Sequence, residues 1–165
     1  MKITLRIILL AAIAGFGFWL WTVLFPSPEK IVLKKINNIA ATATVDAADN
    51  NLVRAGKAVK LAGFFSLDAE IVINVPGVSD RTFSGRQEIK DTAMGGLAKV
   101  TSLKVQFFDT TATVGPDKHT ADVNCTMRVD AGSNQDFGVQ ELRFQFKKID
   151  GDWLITRVET VQTLK

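Results

Sequence analysis

The sequence is poorest in the groups that most enzymes need. Tyrosine is absent, and histidine and cysteine occur once each, as His119 and Cys125. One cysteine excludes an internal disulfide and any zinc site built from several thiolates. With one histidine and no tyrosine, most of the usual acid–base and oxyanion-donor groups are missing. The chain has no phosphate-binding glycine loop and no dinucleotide fingerprint. Lys118 and His119 make no metal set, and Asp150 and Asp152 lack the further ligands of a calcium loop. No cofactor and no metal are therefore expected. A clustered basic surface is missing too. Lys2 and Arg6 come before a hydrophobic run, and from Pro26 onward 18 Lys/Arg face 17 Asp/Glu. This near-neutral balance excludes the footprint of a nucleic-acid binder.

What the sequence does contain begins with that hydrophobic run. Residues 7–25 are 19 positions without a charge, about 28 Å of helix and close to the thickness of a bilayer's hydrocarbon. Trp19 and Trp21 stand near its far end, where indole rings favour the headgroup level. Ala12-Ile13-Ala14 would serve as a signal-peptide cleavage site, but the apolar run before it is very short and the run after it stays apolar. The expectation is an uncleaved anchor over residues 1–26, contacting the lipid bilayer through 7–25, and a folded domain over 27–165. Basic residues leading directly into the run suggest a single-pass protein of bacterial inner-membrane type. The domain is then expected on the extracytoplasmic side, although Lys30, Lys34 and Lys35 nearly balance the count.

Two helices are predicted next. Ser27-Pro28-Glu29 starts one, with Val32, Ile36, Ile39 and Ala43 on its inward face. The other is expected to turn Leu52, Ala55, Val59 and Ala62 inward and Arg54, Lys57 and Lys60 to solvent, ending at Gly63. A strand with Ala69, Ile71, Ile73 and Val75 on one face, a Pro76-Gly77 turn and a short strand at Thr82–Ser84 follow. Ser84-Gly85-Arg86-Gln87 is read as a capping box that opens a third helix carrying Ile89, Ala93 and Leu97. Four long strands are then predicted. They are separated by Gly115-Pro116-Asp117, by a polar loop at 131–136 and by the hairpin pair Asp150-Gly151, and the last strand closes the sheet.

Phe64-Phe65-Ser66-Leu67-Asp68-Ala69-Glu70-Ile71 leading into Gly85-Arg86-Gln87-Glu88-Ile89, with the closing Asp150-Gly151-Asp152-Trp153-Leu154-Ile155, resembles the nuclear transport factor 2-like (SnoaL-like) superfamily. The resemblance covers roughly residues 28–165. It implies an α+β, cystatin-like cone in which helices pack on a curved antiparallel sheet around an apolar pocket. It also implies dimers that pair through the outer sheet face. Here that face is charged and amide-rich, so self-association is expected to be weak and salt-sensitive. Enzymes of the superfamily place an Asp or His base after the first strand, where this chain has Ile73 and Asn74.

The inward strand faces read as apolar throughout, and Val123, Met127, Leu142, Phe144 and Phe146 are expected to line or fill the pocket. Cys125 reads as a buried structural thiol, His119 as an exposed turn residue, and Asp68 as a turn residue before the first strand. The function expected is a membrane-tethered, non-catalytic binding or assembly domain with an unidentified protein partner. The alternatives are an accessory subunit of a larger membrane complex, and an isomerase or lyase acting on a small hydrophobic substrate.

Overall fold

A computed structural model describes residues 15, 16, 20, 26–74, 80–132 and 138–161. Helix α1 (Pro28–Ala43) opens with proline at its first position, where a missing N–H costs nothing. Its Ser27 makes no side-chain cap. Helix α2 (Asn51–Ala62) is capped by Asn50, whose Oδ1 accepts from the Val53 N–H at 2.9 Å. Strands β1 (Phe65–Ile73) and β2 (Arg81–Ser84) form the short hairpin, and helix α3 (Arg86–Lys99) follows. Strands β3 (Lys104–Val114), β4 (Thr120–Asp130), β5 (Gly138–Ile149) and β6 (Asp152–Thr160) complete the sheet.

The strand order is β2-β1-β6-β5-β4-β3. The sheet is mixed, which corrects the antiparallel expectation: β1 runs parallel to β6, while the other neighbouring pairs are antiparallel. The last strand therefore sits inside the sheet rather than closing its edge. Strands β3 to β6 fold as an up-and-down meander, which leaves one side of β6 unpaired. The β1–β2 hairpin pairs there, with α3 and the meander lying between it and β6 in the sequence. Two turns hold the meander in register. Asp117 Oδ1 accepts from the His119 and Thr120 N–H groups, each at 3.0 Å. Asp150 and Gly151 both take positive φ, 51° and 89°, as a two-residue hairpin requires.

The helices lie across one face of this sheet. Val32, Ile36 and Ile39 of α1 join Ala121, Val123, Phe144, Phe146, Trp153 and Ile155 in one buried core. Ile89 of α3 reaches the same core, while Leu97 belongs to a smaller cluster with Val45 and Ala58.

Helix α2 is rotated from its expected phase. Leu52 is 82% exposed and Val59 55%, whereas Ala58 and Ala62 are buried. Arg54 and Lys57, expected in solvent, turn inward. Arg54 donates to the carbonyls of Asp49, Leu97, Val100 and Thr101, and Lys57 to the carbonyl of Thr44 and to Asp49. The Thr44, Leu97 and Val100 carbonyls lie at the C-terminal ends of α1 and α3, where helix carbonyls lack internal partners, while Asp49 stands just before the N-cap of α2. The small alanines let the helices approach closely enough for the two cations to reach them.

The expected capping box is also redrawn. Gly85, at φ 85°, is the N-cap of α3, and Glu88 rather than Gln87 reaches back, its Oε2 accepting from the Ser84 N–H at 2.7 Å. Helix α3 continues through Gly95 and Gly96, and a Cβ at either position would meet nothing within 4 Å. Gly95→Ala and Gly96→Ala should therefore each stabilise the chain by about 0.5–1 kcal/mol. Urea-denaturation midpoints of the single and double variants check this; a lowered midpoint would contradict it.

Candidate functional site

The inside of the cone is built from aromatic and aliphatic side chains of β3 to β6. Val123, Leu142, Phe144 and Phe146 are buried there, and partly buried Met127 packs against them. The Phe144 ring lies edge-on to Phe107, with centroids 5.7 Å apart and planes at 85°, and stacks at 6.4 Å with Phe146. Among the described residues the only buried polar side chains are Thr42 and Ser66, and the only titratable group in the core is Cys125. Burial pushes the Cys125 thiol up to about 12.

A thiol held that high is not a nucleophile near neutral pH. The native chain should leave Cys125 unreacted with a thiol-specific disulfide reagent at pH 8, and the urea-unfolded chain should react fully; fast native labelling would refute the burial. The same shift has a sign. Folding raises this pKa above its ordinary 9.0, so its stabilising contribution is complete below 9 and is lost as pH rises toward 12. The slope is about 1.4 kcal/mol per pH unit, and Cys125→Ala should remove it.

The other candidates stay outside the interior. His119 is exposed in the β3–β4 turn, where its carbonyl accepts from the Lys148 N–H at 2.7 Å. Ile73 pairs with Arg81 at the end of β1, and the Asn74 backbone is held by the Thr160 hydroxyl, at 2.8 and 2.9 Å. Carboxylate pairs do border three surface depressions: Asp46 with Asp130 (370 Å³), Asp109 with Glu141 (300 Å³) and Asp68 with Asp150 (480 Å³). All but Asp130 are exposed, so none of these sites gives the dry setting that drives two pKa values apart. Residues that could hold a metal in groups of three or more are absent among the described residues.

The outer sheet face carries ion pairs across the strands. Arg143 lies 3.2 Å from Asp122, and Arg157 lies 2.7 Å from Glu70 and 3.1 Å from Glu159. All are partly solvated, which limits what each contributes to stability.

One end of the domain is less regular. Along β6, Phe65 pairs with Ile155 and Glu70 with Arg157, so β1 carries extra residues there and bulges. Asp68 therefore sits inside the strand, at its bulge, rather than in a preceding turn. The bulge pushes Leu67 out to 77% exposure and buries Ser66. Arg86, at the start of α3, pins the bulge by donating from Nε to the Phe65 carbonyl at 2.8 Å. The nearby Ser66 hydroxyl holds the Asp68 carboxyl below the usual carboxylate range, helped by the Asp68 N–H.

Leu67 and Arg86 form a ridge between two depressions. On one side lie Asp68, Ile149, Asp150 and Leu154. On the other is a 450 Å³ groove between the end of α2 and the start of α3, bordered by Val59, Ala62, Gly63, Gln87 and Lys90.

The expected bilayer segment, 7–25 with Trp19 and Trp21, falls outside the described residues apart from 15, 16 and 20. No helix of the described residues is long and apolar enough to cross a membrane.

No protein-family model and no curated protein matches the chain. Solved structures do. An NTF2-like protein with a cystatin-like fold from Novosphingobium aromaticivorans is similar at a TM-score of 0.61 and 20% identity over 79% of each chain. A candidate scytalone dehydratase from the same organism is similar at 0.58 and 15%, over 82% of this chain and 83% of that one. A candidate calcium/calmodulin-dependent protein kinase II association domain from Xanthomonas campestris gives 0.56 and 19%, over 81% and 87%. At these identities the likeness shows the fold: helices over a curved mixed sheet of the NTF2-like, cystatin-like type.

Proposed function

We propose that this NTF2-like fold serves as a membrane-tethered, non-catalytic binding or assembly domain, held at the extracytoplasmic face by residues 7–25. The observation that carries the non-catalytic half is the cone interior, where Phe144 packs on both Phe107 and Phe146 and, among the described residues, Cys125 is the one titratable group in the core. Fold alone licenses no chemistry, and an interior of this kind has no acid–base pair with which to perform any. The tethering half rests on the uncharged run and its two tryptophans. An association domain among the similar structures agrees with an assembly role. The dehydratase among them keeps an isomerase or lyase as the competing reading.

Purification of the full chain in mild detergent, followed by identification of the chains that elute with it in stoichiometric amount, tests the proposal. A defined partner retained after a salt wash supports it. Turnover of a small hydrophobic substrate that is lost on replacing one polar residue would replace it with the enzyme reading. Impermeant-reagent labelling of Cys125 after denaturation, in intact against opened cells, fixes the side of the membrane. Labelling only in opened cells would overturn the extracytoplasmic assignment.

A further inference from the structure

We infer that the exposed face of helix α2 pairs with a second copy of this chain, the two helices packing antiparallel about a two-fold axis beside Gly56. This goes beyond the binding or assembly reading by naming a partner, and it holds with or without the tether. The first observation is a helix face with nothing packed on it. Leu52, Gly56, Val59 and Gly63 follow one another at spacings of four, three and four, which places them in one stripe. All four are exposed. The inward side of the same helix is already occupied, by buried Ala58 and Ala62 and by the hydrogen bonds of Arg54 and Lys57. Among the large apolar side chains of the described residues, Leu52 and Leu67 are the two most exposed, at 82% and 77%.

The second observation is that this face complements itself. Leu52 projects at one end of the stripe, and the 450 Å³ groove bordered by Val59, Gly63 and Leu67 lies at the other. Gly56 stands between them, about 6 Å along the helix axis from Leu52 and about as far from the middle of the Val59–Gly63 turn. A two-fold axis beside Gly56 therefore sets each Leu52 into the groove of the other copy, an isologous contact in which one patch serves both sides. The two backbones come closest at the axis, where a glycine leaves them room. Within its own chain a Cβ on Gly56 would meet nothing within 4 Å, so the fold's internal packing makes no use of the missing side chain.

The third observation is area. Leu52, Val53, Val59 and Leu67 together expose roughly 450 Å² per copy, within the range of patches that mark interaction sites. Two copies bring roughly 900 Å², and the glycine backbone with the Gln87 and Lys90 rim carries the total toward about 1,200 Å², the lower limit of a specific interface. The pair is thus reversible rather than obligate. Confinement of both copies to one bilayer face would raise their effective concentration. The outer sheet face offers less, because its exposed Phe108 and Val139 are separated by Thr126 and Arg128 of β4.

The test uses the full chain in mild detergent and a short thiol–thiol cross-linker; native Cys125 is buried and stays unreacted. Gly56→Cys should give about fivefold more covalent dimer than Val139→Cys, whose site on the outer sheet face is 61% exposed. Adding Leu52→Asp to Gly56→Cys should cut that dimer by about tenfold, since each copy loses a buried leucine. Both positions face solvent in the single chain, so neither change threatens its fold. Dimer at 139 equal to or above that at 56, dimer at 56 that Leu52→Asp leaves unchanged, or no dimer at either position each overturns the inference. None of these results touches the binding or assembly reading, which a retained partner of different sequence would still support.

Discussion

Phe146→Ala should cost about 3–5 kcal/mol, much of the stability a domain of this size possesses. Phe146 is 2% exposed and among the largest fully buried side chains of the described residues. It pairs across strands with Ala121 on one side and Ile155 on the other, and stacks with Phe144. Its removal leaves a cavity that these strands cannot collapse into without breaking register. Equilibrium urea unfolding followed by circular dichroism should show a lowered midpoint with an unchanged slope. A loss under about 1.5 kcal/mol would mean that the site repacks or admits water, and the account of a filled interior would then be wrong.

Arg54→Ala should cost about 2–4 kcal/mol, a large penalty for a residue on a helix that sequence patterning turns to solvent. Its guanidinium donates from Nε to Asp49 at 2.9 Å, from Nη1 to Leu97 at 3.2 Å and to Val100, and from Nη2 to Thr101 at 3.0 Å. Hydrogen bonds from a charged donor contribute about 1.5–3 kcal/mol each, and carbonyls left without partners add to the loss. Arg54→Lys should recover less than half, because one ammonium cannot copy the planar fork. Leu52→Ala, on the exposed side of the same helix, should stay within about 0.5 kcal/mol. The same unfolding measurement on the three variants decides the point, and an Arg54→Ala loss no larger than that of Leu52→Ala would refute the capping role.

These two residues also mark how far the sequence could be read. Phe146 was legible because Leu142, Phe144 and Phe146 alternate with Glu141, Arg143, Gln145 and Lys147, a period of two that admits one register with the apolar face inside. Arg54 was not legible. Leu52, Ala55 and Val59 supply a plausible helical stripe, and the carbonyls that decide otherwise stand more than forty positions away. The capping box failed for a related reason: Gln87 and Glu88 are both able to reach back, and the backbone of Gly85 at φ 85° selects Glu88. Exposed Leu67 could not be foreseen, since its strand pattern gives no sign of a bulge against β6.

The sequence by itself determined the element order, the apolar interior lined by β3 to β6, the buried thiol and the poverty of acid–base groups, because each follows from local period or from composition. Tertiary structure alone decided that β6 lies inside the sheet with β1 parallel to it, which way α2 faces, and that Leu67 and Val59 stand exposed. Those outcomes depend on which distant backbone groups are left without hydrogen-bond partners, and that is settled only when the pieces meet.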